Sequence, residues 1–203
     1  MAIRVITRPT VEPVSTEEMK LHLREDLADQ DLLINALIVA AREYAEAYTG
    51  RAFITQTLEL TLDEFPAGGE IEIPNPPLQL VEHVKYIDAD GVLQTVNDAL
   101  YQVDPYAEPG KIKPAYGEVW PDTRAGEYNA VQVRYICGYA EIGSPSGADP
   151  ANGVPDGIKH WMKVRVAQLY EHREAVIIGT IVAPIPRDFV DGLLDPYRVR
   201  RYL

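Results

Sequence analysis

The hydrophobic period of this chain changes at Gly50, and that change sets the fold class. Residues 29–50, "DQDLLINALIVAAREYAEAYTG", repeat apolar residues at helical spacing, with acids at the start and a glycine placed to end the run. The pattern predicts a helix from about Asp31 to Tyr48. From Ala52 onward the period shortens to two, in the runs "FITQTLELTL", "EIEIP", "LVEHVKYID", "GVLQTV", "YQVD", "KIKPAYG" and "AVQVRYICGY". Turns rich in Gly and Pro, such as "FPAGGE" and "PNPP", separate them, as antiparallel strands require. The helical period returns at "VPDGIKHWMKVRVAQLYEHRE" after the connector "GSPSGADPANG". The expected fold is α+β: a small helical bundle core with an inserted antiparallel β-rich subdomain. Its parts are residues 1–50 and 154–203 for the helical core and 51–153 for the insertion.

Two local signals refine this outline. Ser15 precedes Glu18 by three residues, the capping-box spacing, so a short helix is expected near 16–24. "DADG", Asp88 to Gly91, reads as a hairpin turn; as a calcium loop it lacks the third acid and the distal glutamate that an EF-hand needs.

At about 100° per residue, Asp31, Asn35, Arg42 and Glu46 share one stripe of the long helix. Leu33, Leu37, Ala40, Ala41, Tyr44 and Tyr48 face the other way, with Leu32, Ile34, Ile38 and Val39 on the flanks. That apolar arc is wider than a surface helix needs. Either the helix is central in its own domain or a neighbouring subunit covers part of it, so Leu33, Leu37, Tyr44 and Tyr48, with Trp161 of the last helix, are the candidate packing residues.

Charge limits the partners. The formal net charge of -12 is concentrated between residues 51 and 153, while the carboxyl end is mildly basic. Nucleic-acid binding depends mainly on neutralising phosphates with Lys and Arg, so the acidic middle argues against it. No apolar run reaches the roughly 20 residues that a bilayer requires, and no membrane partner is expected. The amino terminus lacks the apolar core of a secretory signal and Cys137 is the one cysteine, so a reducing cytoplasm is the expected place of synthesis.

Candidate chemistry is sparse. His160 and His172 stand twelve residues apart on the last helix and point in different directions, so they cannot form the one-turn pair of a zinc site. His22 and His83 are isolated. There is no GxSxG, P-loop, GxGxxG or CxxC, and Cys137 lies in an apolar strand where a small buried side chain is expected. No cofactor, metal site or enzymatic activity is expected. A small-molecule hydrolase would need a pocket of convergent titratable groups, which nothing in the spacing selects.

One ordered series of segments carries a resemblance. "VSTEEMKLHLRED", "DLLINALIVAAREYAEAYTGRAFITQTLELTLDEFP", "IPNPPLQLVEHVKYIDADGVLQT", "PAYGEVWP", "AVQVRYICGY", "VPDGIKHWMKVRVAQLYEHREAV" and "LLDPYRVRRY" together resemble the head-tail connector proteins of tailed bacteriophages, prophages and gene transfer agents. The likeness runs from about Val14 to Tyr202 and departs at "IIGTIVAPIPRDFVDG", a variable stretch in that family. It implies a structural protein of the virion neck, a ring of twelve subunits beneath the portal that lengthens the DNA channel and joins head to tail. The implied partners are the portal protein, a stopper or tail-terminator protein, further copies of itself, and DNA that passes without sequence-specific binding. A tail-completion or stopper protein is the alternative within the neck.

The carboxyl end completes the expectation. "RDFVDGLLDPYRVRRYL" predicts a short helix near Arg187 to Leu194, stopped by Asp195 and Pro196, and then large apolar residues alternating with arginine. Read either as a frayed basic tail or as an anchor, it makes Tyr197, Arg198, Val199, Arg200, Arg201 and Tyr202 the candidate portal-docking residues.

Overall fold

A computed structural model describes residues 1–139, 150–172 and 191–199. Among the described residues three helices form one layer: α1 (Thr16–Leu23), α2 (Asp31–Thr49) and α3 (Asp156–Glu171). Two antiparallel sheets are built from one strand before α1 and from the chain between α2 and α3, where the change of period predicts strands. The strands are β1 (Ala2–Thr7), β2 (Gln56–Leu62), β3 (Ile71–Ile73), β4 (Leu78–Ile87), β5 (Leu93–Thr95), β6 (Tyr101–Asp104), β7 (Gly110–Pro114) and β8 (Val131–Cys137). One sheet has the order β1-β2-β8-β4-β5 and the other β3-β7-β6.

The helix ends follow their chemistry. The Ser15 hydroxyl accepts from Glu18 N at 3.1 Å, so the first half of the capping box forms. The second half does not, because the Glu18 carboxylate accepts from Lys163 of α3 at 2.6 Å. That ion pair ties the first helix to the last. Gly50 closes α2 in the left-handed region at φ 72°, its N–H donating to the Glu46 carbonyl at 2.8 Å.

The face of α2 that packs is turned from the expected one. Its buried residues are Ile34, Ile38, Ala41, Arg42, Ala45 and Thr49, whereas Leu32 is 86% exposed and Tyr44 43% exposed. Arg42, assigned to the solvent stripe by angle alone, is buried because Glu12 and Glu46 each accept from its guanidinium at 2.7 Å. A charge neutralised on two sides can be buried where an unpaired one cannot. The helical core joins this face to Ile158, Trp161, Met162 and Val166 of α3, with Met19, Phe53, Ile54 and Leu194.

The β core is separate. Leu58, Leu60, Val84, Val131, Val133, Tyr135 and Cys137 of the larger sheet pack with Ile71, Ile73, Tyr101 and Ile112 of the smaller one. Along β8 the burial alternates strictly, odd-numbered positions buried, which is the period-two pattern of "VQVRYIC". "DADG" is the β4–β5 turn, where Asp88 Oδ1 accepts from Asp90 N at 3.0 Å and Val92 N at 2.9 Å. This carboxylate serves the turn.

Residues 1–50 are not wholly helical. "AIRVIT" forms β1 and pairs antiparallel with β2, Arg4 opposite Glu59 and Val5 opposite Leu58. It is an edge strand with every residue exposed, and its short alternation was the signal available in the sequence.

Candidate functional site

Chemistry fails to converge in the described residues. His160 and His172 are both exposed on α3, His172 standing at the end of the helix. His22 lies near enough to Lys163 and His160 that, after partial burial, their charges help to lower its pKa. The pKa of His83 is lowered first by burial and then by Lys85 and Arg134. No group of three or more His, Cys, Asp or Glu suited to a metal ion occurs among the described residues. Cys137 is buried and its thiol is pushed far up by desolvation, the opposite of an activated nucleophile. A groove of about 1000 Å³ runs between residues 63–70 and 118–128. It is lined by acids and by the stacked rings of Phe65 and Trp120, 4.7 Å apart. None of the described helices is long and apolar enough to cross a membrane.

What the fold does present is surfaces. Exposed large apolar side chains gather around the α1–α2 connection (Leu21, Leu27, Leu32), along β1 (Ile3, Val5, Ile6) and at the start of β5 (Val92, Leu93). Others, including Tyr106, Tyr116 and Tyr128, stand at loop tips.

The start of the tail is built into the chain itself. Arg51 Nε donates to the Tyr197 carbonyl, while its Nη1 and Nη2 donate to the two oxygens of Glu108, the former at 2.7 Å. Tyr48 Oη donates to Asp195 Oδ1 at 2.7 Å, and the Arg198 guanidinium lies 5.0 Å from the centre of the Tyr48 ring. Val199 N donates to the Thr49 carbonyl at 2.8 Å, and its side chain lies against Gly50. Tyr197 also packs against the helical core.

The candidate residues therefore separate. Tyr197, Arg198 and Val199 each make contacts within the subunit. The physical reason is that the α2 terminus supplies a carbonyl, a ring and a glycine-sized gap in register with them. Arg200, Arg201 and Tyr202 lie outside the described residues. The helix expected near Arg187 to Leu194 falls largely outside them too; at its end, Asp195 to Tyr197 form a 3-10 turn. Of the packing candidates, Trp161 is fully buried, Leu33, Leu37 and Tyr48 are half-buried, and Tyr44 is exposed with its ring stacked on Trp161 at 5.7 Å.

Residues 14–99, which run from the loop before α1 past β5, match the family described as phage gp6-like head-tail connector protein. The whole chain is matched by fold. A chain from the neck of an empty gene transfer agent particle, computed with C6 symmetry, superposes with a TM-score of 0.78 at 23% identity, covering 100% of this chain and 98% of that one. A chain from the virion of a native gene transfer agent particle gives 0.77 at 23%, with the same coverage. A third, from the neck of a native particle computed with C12 symmetry, gives 0.72 at 22%, again covering 100% and 98%. No curated protein sequence matches this chain. The resemblance carried by the ordered segments of the sequence is borne out by the family match.

Proposed function

We propose that this connector is a structural part of a virion neck, assembled as a ring of twelve beneath the portal, where it lengthens the DNA channel and offers a platform to the stopper or tail-terminator protein. The observation that carries this reading is the family match from Val14 through β5, on a chain whose whole length follows the fold of proteins found in gene transfer agent necks. Neck particles reconstructed with C6 and C12 symmetry support a ring. Its work is mechanical: it binds neighbours and leaves DNA ungripped, since an acidic surplus gives phosphates few cations to neutralise them.

The tail reaches the portal through Arg200, Arg201 and Tyr202, the basic and aromatic residues that follow Tyr197 to Val199, which already hold partners at the end of α2. The experiment mixes the full chain, or a version ending at Val199, with the portal protein of the same genome and weighs the products by native mass spectrometry. Stopping at Val199 keeps the contacts to Arg51 and Thr49 intact. A portal-bound ring formed by the full chain and lost on truncation supports the reading; absence of any complex contradicts it.

A further inference from the structure

The ring proposed above requires each subunit to offer two different, complementary patches, because a patch that meets its own copy closes after two subunits. We infer that these patches are the two end strands of the five-stranded sheet: β1 of one subunit lies beside β5 of the next, so that the sheets run on from subunit to subunit.

Four observations carry this. First, β1 and β5 are the two ends of one sheet, and among the described residues each has a neighbour strand on only one side. Unpaired N–H and C=O groups along such an edge are a template for another strand. Second, both edges are apolar where a surface strand would ordinarily be polar: Val5 is 51% exposed and Leu93 50% exposed, with Ile3 and Val92 beside them. Third, the edges carry opposite charge. Residues 1–10 hold Arg4, which also pairs with Glu59 of β2, and Arg8, and no acid, while residues 88–98 hold Asp90 and Asp98 beside the turn-forming Asp88, and no base. Joining β1 to β1, or β5 to β5, would bring like charges together; joining β1 to β5 pairs them. Fourth, β5 closes the stretch matched to the connector family, whereas β1 lies before it, so the edges are built from different parts of the chain.

The topology also fixes the polarity of the joint. Every neighbouring pair in the sheet is antiparallel, and with five strands β1 and β5 point the same way. Head-to-tail continuation therefore joins them in parallel. No hairpin is needed, since the strands belong to different chains.

The test places cysteines at the two edges of the full chain, Val5→Cys and Leu93→Cys, singly and together, and treats the protein with a flexible bis-maleimide. Native mass spectrometry reads the ring on the same samples, alone and with the portal protein of the same genome. Cys137 is buried and serves as the silent background. The expected result is a ladder of covalent multimers beyond the dimer in the double variant and monomers in either single variant. A ring that yields no ladder, or dimers from Val5→Cys alone, overturns the edge-to-edge joint and leaves the ring standing. A chain that stays monomeric in both conditions overturns the joint and the ring together.

Discussion

Arg51 lies 57 residues from Glu108 in sequence and donates to both of its carboxylate oxygens, while the same guanidinium holds the Tyr197 carbonyl. One side chain thus fastens the end of α2 to the β6–β7 loop and to the start of the tail. Replacing Arg51 with Ala is expected to destabilise the chain by about 1–3 kcal/mol, as loss of a charge-assisted hydrogen-bonded pair does. It should also speed hydrogen exchange at residues 197–199. Hydrogen exchange read by mass spectrometry checks this, and unchanged protection there would contradict the fastening role.

Glu59 is the second fastening and gives a pH signature. It is 2% exposed on β2 and is met by Arg4 of β1 at 2.6 Å and Arg134 of β8 at 2.8 Å. Burial alone would raise its pKa, but the hydrogen bonds from Arg134 and Arg4 win and hold it below the ordinary 4.5. Arg51 does the same for Glu108 against partial burial. A carboxylate lowered in the folded state contributes stability that is complete at neutral pH and lost as pH falls through that lowered value. The urea midpoint should therefore drop between about pH 7 and about pH 3, and Glu59→Gln should flatten part of the drop. An equal slope in the variant would remove Glu59 from the account.

Tyr135 offers a change in the other direction. Its ring is fully buried on β8, and its hydroxyl has no hydrogen-bond partner among the described residues. Tyr135→Phe keeps the ring and removes the unpaired group, which is expected to stabilise the fold by about 1 kcal/mol. Thermal unfolding measures it; destabilisation would show that the hydroxyl is satisfied in solution.

Gly138 marks the passage from β8 to the helical layer. It sits at φ 127°, and a Cβ there would lie 2.5 Å from the backbone carbon of Ile54. Strain and collision act together, so Gly138→Ala should cost several times the roughly 1 kcal/mol of an ordinary glycine replacement. Chemical denaturation checks the size, and a neutral result would mean that the two backbones can separate.

The sequence made the elements legible because the period of burial is written in the residues themselves. α2 ends at Thr49 before Gly50, and the seven runs after Ala52 each contain an observed strand. The buried face of α2 was less legible. Leu32 counts as apolar yet points outward, and Arg42 counts as polar yet is buried by partners from residue 12 and from the next turn of its own helix. Such rotation depends on contacts between distant segments, which periodicity does not record. The tail shows the same limit. Its alternation of Tyr, Arg and Val was plain, but that Thr49, Tyr48 and Arg51 would hold its first residues depends on where α2 ends in space.

The central claim is that this connector is a ring in a neck between head and tail. Its most direct test is electron cryomicroscopy of particles purified from a host carrying this gene, with the neck reconstructed under rotational symmetry. The account predicts a ring beneath the portal into which this fold fits, repeated with C12 symmetry. A resolved neck without this fold, in particles that lack the chain, would contradict it.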